Sequence, residues 1–579
     1  MNFMQNTIPK AIIEAAERHP HKKALMYKKG GSYIGISFRE LKKRIEYFSS
    51  ALIALGAEKG DRVAILSENR PEWVIADLAI MNLGAIVVPI HTTLSPKIIK
   101  HILADSGSRV LVVSNEQQLN KVLLVEKELV DLKKIVYFDL DNPDEIECSK
   151  PLINFDEELV RGKKFSLKSK QVVDHNDICS IVYTSGTTGL PKGVTLTHYN
   201  FLFDARAAMD YVPITHKDVF LSFLPLSHVL ERTAGYYAPL SRGCTIAYAE
   251  NTAALPKNLK EIKPTIMISV PRIFEKMFDS IWEKLKKKRP YARKIFSWAL
   301  NQERGGWQFY LGDFLAFRQI RKKMGGRLRL TISGGASLSE KLARFYDKIG
   351  ILILEGYGLT ETAPVVSVNK EGKKKIRSAG IPLMGVEVKI ADDKEILIKG
   401  PNVMQNYWNN NEATKQAIDE QGFFKTGDLG FIDNEYFLFI IGRKKEMIVT
   451  SGGRNIWPEV IENNLNADRF MMQSMVLGHN RKCLGALIVP DMQELEEYTK
   501  QQNINYHSLE ELLEQPQVLQ LYRERLDKAT AELADYEKIY KFILIADEFS
   551  QKKDELTPTL KLRRHVIEGH YKEEIERMF

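Results

Sequence analysis

Short apolar runs rich in valine and isoleucine alternate with longer amphipathic stretches along most of the chain. A helix starts at Ile8, a strand pair lies around Lys23 to Ile36, and a second helix covers Phe38 to Leu55. Arg62 to Leu66 reads as a strand, a third helix follows from Trp73, and the strand Ala85 to Pro89 precedes a helix opening at Leu94. Val110 to Ser114 and Lys134 to Asp139 add strands, whereas Asp141 to Lys170 is polar and reads as loop. Alternation of this kind predicts an α/β domain with a largely parallel sheet. The pattern resumes with a helix over Tyr199 to Met209 and strands at Val219 to Leu224, Ile266 to Ser269, Leu328 to Ser333 and Ile351 to Leu354. Glu395 to Lys399 and Val403 to Tyr407 read as short pieces of a smaller β-rich subdomain, with a helix near Glu412. The last stretch reads as a small α/β domain, with strands near Met475 to Gly478, Gly485 to Val489 and Phe542 to Ala546.

Candidate chemistry sits where strands run into small residues. Ile181, Val182 and Tyr183 lead into Thr184-Ser185-Gly186-Thr187-Thr188-Gly189, then Leu190-Pro191-Lys192-Gly193. Glycines let backbone N–H groups approach an anion, hydroxyls add donors, and a lysine adds a mobile charge. A grip on polyphosphate is the chemistry suggested, against a flexible Gly/Thr linker on composition alone. The spacing fails the Walker A pattern. Two more strands stop at Gly334-Gly335-Ala336 and at Glu355-Gly356-Tyr357-Gly358-Leu359-Thr360-Glu361. Ligands of open α/β sheets bind beyond the carboxyl ends of strands, so both turns can meet the Thr184 loop. Further along stand a turn with one carboxylate, Thr426-Gly427-Asp428, then Gly442-Arg443-Lys444-Lys445-Glu446 and Ser451-Gly452-Gly453-Arg454. Near the end comes Thr557-Pro558-Thr559-Leu560-Lys561.

Thr184 to Val194 matches, without a gap, the signature loop of the adenylate-forming superfamily, and the later segments resemble its other motifs in the right order. The resemblance covers nearly the whole chain. It implies a large N-terminal domain over residues 1–441, with parallel sheets layered with helices and a β-rich subdomain, and a small mobile α/β domain over 442–579. It makes Thr184 to Gly189, Lys192, Gly334 to Ala336, Glu355 to Gly358 and Thr360 the ATP/AMP-binding set, with Tyr357 stacked on adenine. Asp428 and Arg443 reach the ribose, and Glu361 with Thr184 holds Mg²⁺, which takes one or two protein oxygens beside phosphate and water. Lys445 is the implied hinge, Gly452, Gly453 and Arg454 border the path of the thiol donor, and Lys561 is the implied catalytic lysine alongside Lys192 and Glu361. The block around Leu226-Ser227-His228 resembles that of acyl-CoA synthetases, where a histidine lies near the acyl carboxylate; a lone histidine after a strand also serves structure.

Within the superfamily, that block, the start Val270-Pro271-Arg272-Ile273-Phe274 and a long basic insert resemble the bacterial long-chain fatty acid–CoA ligases. The implied reaction joins a fatty acid to CoA through an acyl-AMP formed from ATP. Acyl carrier protein is an alternative thiol donor, and a catalytically inactive acyl-nucleotide-binding scaffold is a more remote alternative. The bulk numbers fit. With 579 residues the chain suggests roughly three or four domains or subdomains. A formal net charge of +9 suits nucleotides, CoA, carrier protein or anionic lipid and is too small to argue for nucleic acid. Cys148, Cys179, Cys244 and Cys483 lie far apart, as reduced thiols do in a cytoplasmic protein. No signal peptide is visible, and the most apolar run, Val74 to Ile90, is interrupted by Asp77, Asn82 and Pro89. From Pro271 the residues Ile273, Phe274, Met277, Phe278, Ile281, Trp282 and Leu285 recur at helical steps, and basic, aromatic-rich sequence follows to Lys323. A core helix with solvated charges is the first reading of that stretch, with peripheral contact on the inner face of a membrane as the second.

Overall fold

The structure, a computed structural model, describes residues 6–164, 172–184, 190–336, 338–557 and 561–579. The chain divides into two compact units: Met1–Lys389 with Leu397–Lys425 and Asp433–Leu438, and Ile390–Ile396 with Thr426–Ile432 and Phe439–Phe579.

The first unit holds two large sheets. Seven strands lie in the order Leu152–Asn154, Lys134–Tyr137, Val110–Val113, Arg62–Leu66, Ile86–Ile90, Ile178–Thr184 and Lys192–Thr197. All pair in parallel except the last two, which form a hairpin in register from Ile178↔Thr197 to Thr184↔Lys192. Runs such as Val110–Val113 and Ile86–Ile90 are buried at every position, as expected of parallel strands covered on both faces. Helix Pro71–Leu83 is buried nearly all round and so shows no amphipathic pattern. The second sheet has nine strands and a parallel centre that includes Val219–Ser222, Ile266–Ser269, Leu330–Ser333 and Leu352–Gly358. A four-stranded sheet of Glu387–Ile390, Glu395–Lys399, Phe424–Ile432 and Leu438–Arg443 makes the β-rich part of the chain. In the second unit Met471–Leu477, Leu484–Pro490 and Ile539–Leu544 form a three-stranded sheet with helices packed on it.

Four expectations need correction. The stretch expected as loop contains the strand Leu152–Asn154 and the helix Phe155–Lys164. The Asn154 side chain accepts hydrogen bonds from the N–H groups of Asp156 and Glu157, which starts the helix. Gly162 then lets it lie against helix Phe38–Ala54, since a Cβ there would come within 2.0 Å of the Tyr47 carbonyl. The strand expected to stop at Leu354 runs on to Gly358, because Gly356 to Gly358 pair antiparallel with Val365–Val368. A Cβ on Gly358 would sit 1.6 Å from the Pro364 carbonyl, so only glycine fits at the end of that pairing. Thr426-Gly427-Asp428 lies inside a strand rather than a turn. Val403 to Tyr407 forms no strand; its ladder is a single bridge between Tyr407 and Val194.

Candidate active site

The hairpin that closes the seven-stranded sheet sets Thr184 and Lys192 opposite each other. Ser185, Gly186, Thr187, Thr188 and Gly189 lie outside the described residues. The Lys192 ammonium sits 5.3 Å from the ring centre of Tyr407, whose hydroxyl donates to Glu361 Oε1 at 2.9 Å. Burial and the Glu361 charge both raise the Tyr407 pKa, so this phenol stays a donor throughout the physiological range. Glu361 is held in the short Thr360–Thr362 turn. There Thr362 Oγ1 donates to the Pro364 carbonyl at 2.7 Å and accepts from the Leu359 N–H at 3.0 Å. Met404 N–H donates to the Glu361 carbonyl at 2.8 Å, so the backbone that carries the carboxylate is fixed from both sides. Lys192, Tyr407 and Glu361 thus form one cation–phenol–carboxylate row.

Strand Leu330–Ser333 delivers Gly334, Gly335 and Ala336 next to strand Leu352–Gly358. Glu355 joins the two: its Oε2 accepts the Leu338 N–H at 3.0 Å, and its carbonyl accepts the Asn369 N–H at 2.9 Å. Burial pushes the Glu355 carboxyl up to about 7, while the Leu338 N–H pulls it down. Tyr357 is partly exposed, and Gly335 and Ala336 are exposed.

His228 stands beside a second histidine that the sequence did not single out. Ser227 Oγ lies 2.7 Å from His91 Nδ1, and the His91 and His228 rings are 6.3 Å apart. Desolvation, then the charge of His228, brings His91 down to about 3, so its ring is neutral at pH 7. His228 Nδ1 accepts the Leu230 N–H at 3.2 Å, which leaves Nε2 as the proton-bearing nitrogen when the ring is neutral. A π-helical turn, Glu231–Tyr237, begins three residues later. From it Arg232 pairs with Asp77 and donates to Ser180 Oγ at 2.6 Å. The hydroxyls of Tyr236 and Tyr237 each donate to Asp77 Oδ2 at 3.0 Å. Ser180 belongs to the strand that ends at Thr184, so this buried network fixes the hairpin against the histidine segment.

In the second unit Arg443 Nε lies 3.1 Å from Asp428 Oδ1. Lys561 is carried on a tight reversal: Thr557 N–H donates to the Lys561 carbonyl at 2.8 Å, and Lys561 N–H donates to Thr557 Oγ1 at 3.0 Å. Loss of hydration, then the Arg443 charge, holds the Lys561 ammonium below the usual lysine range, although its residue is exposed. Glu459, Asp428 and Glu446 act in the opposite sense. Lys445 is exposed in the turn Lys444–Glu446, where Lys444 binds Glu395 at 3.1 Å and also pairs with Asp393. Gly452, Gly453 and Arg454 are exposed, and the Arg454 guanidinium lies 5.3 Å over the Tyr536 ring.

Tyr407, His91 and Glu459 join the predicted residues only through contacts distant in sequence, whereas Glu446 closes the Gly442–Glu446 motif and adds its charge near Lys561. No spacing pattern marks Tyr407 or His91, and a Pro-Glu helix start is too common to single out Glu459. Among the described residues no group of three or more His, Cys, Asp or Glu could cage a metal, and no helix is long and apolar enough to cross a membrane.

Comparison with known proteins identifies the family. Residues 12–408 match the AMP-binding enzyme family, and residues 445–579 match the AMP-binding enzyme C-terminal domain. The chain is 34% identical over 566 residues to the long-chain-fatty-acid–CoA ligase FadD15 of Mycobacterium bovis, covering 95% of this chain and 93% of that one. It is 30% identical over 648 residues to the long-chain-fatty-acid–CoA ligase heimdall of Drosophila melanogaster, covering 99% and 95%. In fold it resembles the adenylation domain of a carboxylate reductase from Mycobacterium chelonae, with a TM-score of 0.81, 22% identity and 99% and 91% coverage. With both segments matched in order over nearly the full length, the chain belongs to the adenylate-forming AMP-binding enzymes.

Proposed function

We propose that the protein is an ATP-dependent acid–thiol ligase that converts a long-chain fatty acid to its CoA thioester by way of acyl-AMP. The observation that carries this reading is Lys561, braced by Thr557 and electrostatically coupled to Arg443 and Asp428 in one compact unit. The names of the FadD15 and heimdall relatives support the long-chain acid and the CoA acceptor.

In the first half-reaction a carboxylate oxygen attacks the α-phosphorus of ATP, and the bond to pyrophosphate breaks. Both reactants are anions, so positive charge at the new bond lowers the barrier. Lys192 and Lys561 supply that charge from the chain, and Asp428 with Arg443 orients the ribose. Tyr357 stacks on the adenine, against the backbone of Gly334 to Ala336. His228, with its neutral partner His91, is assigned the role of directing the acid's carboxylate toward the phosphorus. Glu361, oriented by Tyr407, and the Thr184 hydroxyl fit the habit of magnesium, which uses few protein oxygens. Such an ion, when bound with ATP, offsets phosphate charge. In the second half-reaction the thiol sulfur attacks the acyl carbonyl and AMP leaves, with no protein nucleophile required. A turn of the C-terminal domain about Lys445, at the junction of residues 1–441 and 442–579, brings Gly452, Gly453 and Arg454 to the thiol path.

Hydroxylamine trapping of the activated acyl group tests this directly. ATP and palmitate should give hydroxamate, shorter acids should give less, and CoA should divert the product to thioester. No hydroxamate from any acid would leave the scaffold reading. Thioester formation with acyl carrier protein, and none with CoA, would replace the acceptor.

A further inference from the structure

The basic insert carries a surface that the ligase reaction does not use. Helices Trp307–Gly312 and Arg318–Lys323 are joined by the π-helical turn Asp313–Phe317 into one continuous rod. One face of the rod is built into the protein. Gly312 and Phe317 are buried there, and Phe309, Ala316 and Ile320 pack on the core cluster around Phe278, Phe296 and Phe345. The opposite face is apolar as well, and it is open. Trp307 is 73% exposed, Tyr310 66%, Leu311 42%, Phe314 60% and Leu315 40%. These five recur at three- and four-residue steps, so they share one side of the rod. Among the described residues no other stretch of this length has as many exposed large apolar side chains.

Charge surrounds this stripe. Between Lys284 and Lys323 the sequence has twelve basic residues and two acidic ones, an excess larger than the +9 of the whole chain. The remainder of the protein is therefore close to neutral. One of the two acids, Asp313, is engaged by Arg321 at 2.6 and 2.7 Å. Burial, then the charges of Lys284, Lys288 and Lys260, bring the Lys323 ammonium below the usual lysine range. The Arg318 guanidinium lies 5.6 Å over the Phe314 ring, which puts a cation at the edge of the stripe.

Exposed Trp, Tyr, Phe and Leu on one helix face, rimmed by Lys and Arg, is the composition of a segment that lies in a lipid interface. A second copy of this face is a poor occupant, because stacking the two stripes would bring like charges together. We propose that the rod Trp307–Lys323 docks the protein on the surface of an anionic lipid bilayer, with Trp307, Tyr310, Leu311, Phe314 and Leu315 entering the headgroup region and the flanking cations holding lipid phosphates. The docking depends on no assumption about the acid or the acceptor.

Flotation of the full chain with vesicles tests it. Wild-type protein should float with phosphatidylcholine vesicles containing about a third phosphatidylglycerol, much less with phosphatidylcholine alone, and less as salt rises. The variant Trp307→Ser/Leu311→Ser/Phe314→Ser should lose at least about tenfold in partition, since insertion scales with the apolar area buried. Its melting temperature should equal that of wild type, because these side chains are exposed in the fold. Lys286→Gln/Lys287→Gln/Lys288→Gln should lose most of its binding at low salt. In wild type, anionic vesicles should shift tryptophan emission to the blue, and Trp307→Phe should reduce the shift. Failure of wild-type protein to float, or equal flotation of the triple serine variant, overturns the proposal. Concentration-dependent dimers that the serine variant abolishes, without any flotation of wild type, would assign the face to a second copy instead.

Discussion

Two arginine–aspartate pairs show how the same chemistry serves opposite ends. Arg232 and Asp77 have side chains with 0% exposure; Ser180 adds a hydrogen bond to the guanidinium and Tyr236 and Tyr237 add two to the carboxylate, while Arg232 Nε has no hydrogen-bond partner among the described residues. Arg443 and Asp428 have side-chain exposures of 33% and 6%. The first pair is enclosed, so every charge must find its partner inside the protein, and the arrangement is a fixed joint between the loop-bearing strand and the histidine segment. The second leaves its cation open to solvent, where a ligand's hydroxyls and phosphates can compete for it. Burial makes one pair architecture, and exposure leaves the other available for binding.

The largest effect that separates the pairs is on folding. Arg232→Met leaves the Asp77 carboxylate buried without its cation and should destabilise the protein by roughly 3–5 kcal/mol. Calorimetry should show a much lower melting temperature, partly recovered in Asp77→Leu/Arg232→Met, which removes both charges. A variant Arg232→Met that melts like wild type would remove the joint from the account.

A smaller effect, on binding rather than folding, is expected at the second pair. Asp428→Asn should raise the KM for ATP roughly tenfold, equivalent to about 1.4 kcal/mol, while shifting the melting temperature far less than Arg232→Met does. If Asp428→Asn melts as low as Arg232→Met, both pairs are architectural.

The smallest effect concerns pH. Lysine loses its charge as pH rises, so a lowered Lys561 pKa brings that loss to lower pH. Adenylate formation, followed by ATP–pyrophosphate exchange, should therefore fall on the alkaline side at a pH below the ordinary lysine value. Lys561→Arg keeps its charge to much higher pH. Whatever rate it retains should lack that alkaline decline, and an unchanged decline would assign the titration to another group.

The elements that the sequence resolves are those whose cause is local. Arg62–Leu66 and Ile266–Ser269 carry the unbroken apolar runs Val63 to Leu66 and Ile266 to Ile268, and both strands have the expected bounds. The helix Phe155–Lys164 was missed because most of its residues are charged; it is held by Phe155, Gly162 and contact with a helix about a hundred residues earlier. The site divides along the same line. Thr184, Lys192, Glu361, Asp428, Arg443 and Lys561 stand in contiguous motifs and can be named from them. Tyr407 touches Lys192 and Glu361 across 215 and 46 residues of sequence, and His91 reaches Ser227 across 136, so neither leaves a local trace. Strand ends were misjudged at Leu354 and Thr426 for a related reason: small polar residues read as turns until a neighbouring strand pairs with them.

The central claim is that Lys561 belongs to acid activation and not to thiol transfer, and separating the half-reactions in Lys561→Ala tests it most directly. With ATP and palmitate, the account predicts that acyl-AMP formation falls about 10²-fold or more, the loss expected when a principal charge at the transition state is removed. With chemically made palmitoyl-AMP and CoA, the same variant should form thioester at close to the wild-type rate. Equal loss in both half-reactions, or no loss in the first, would contradict the account.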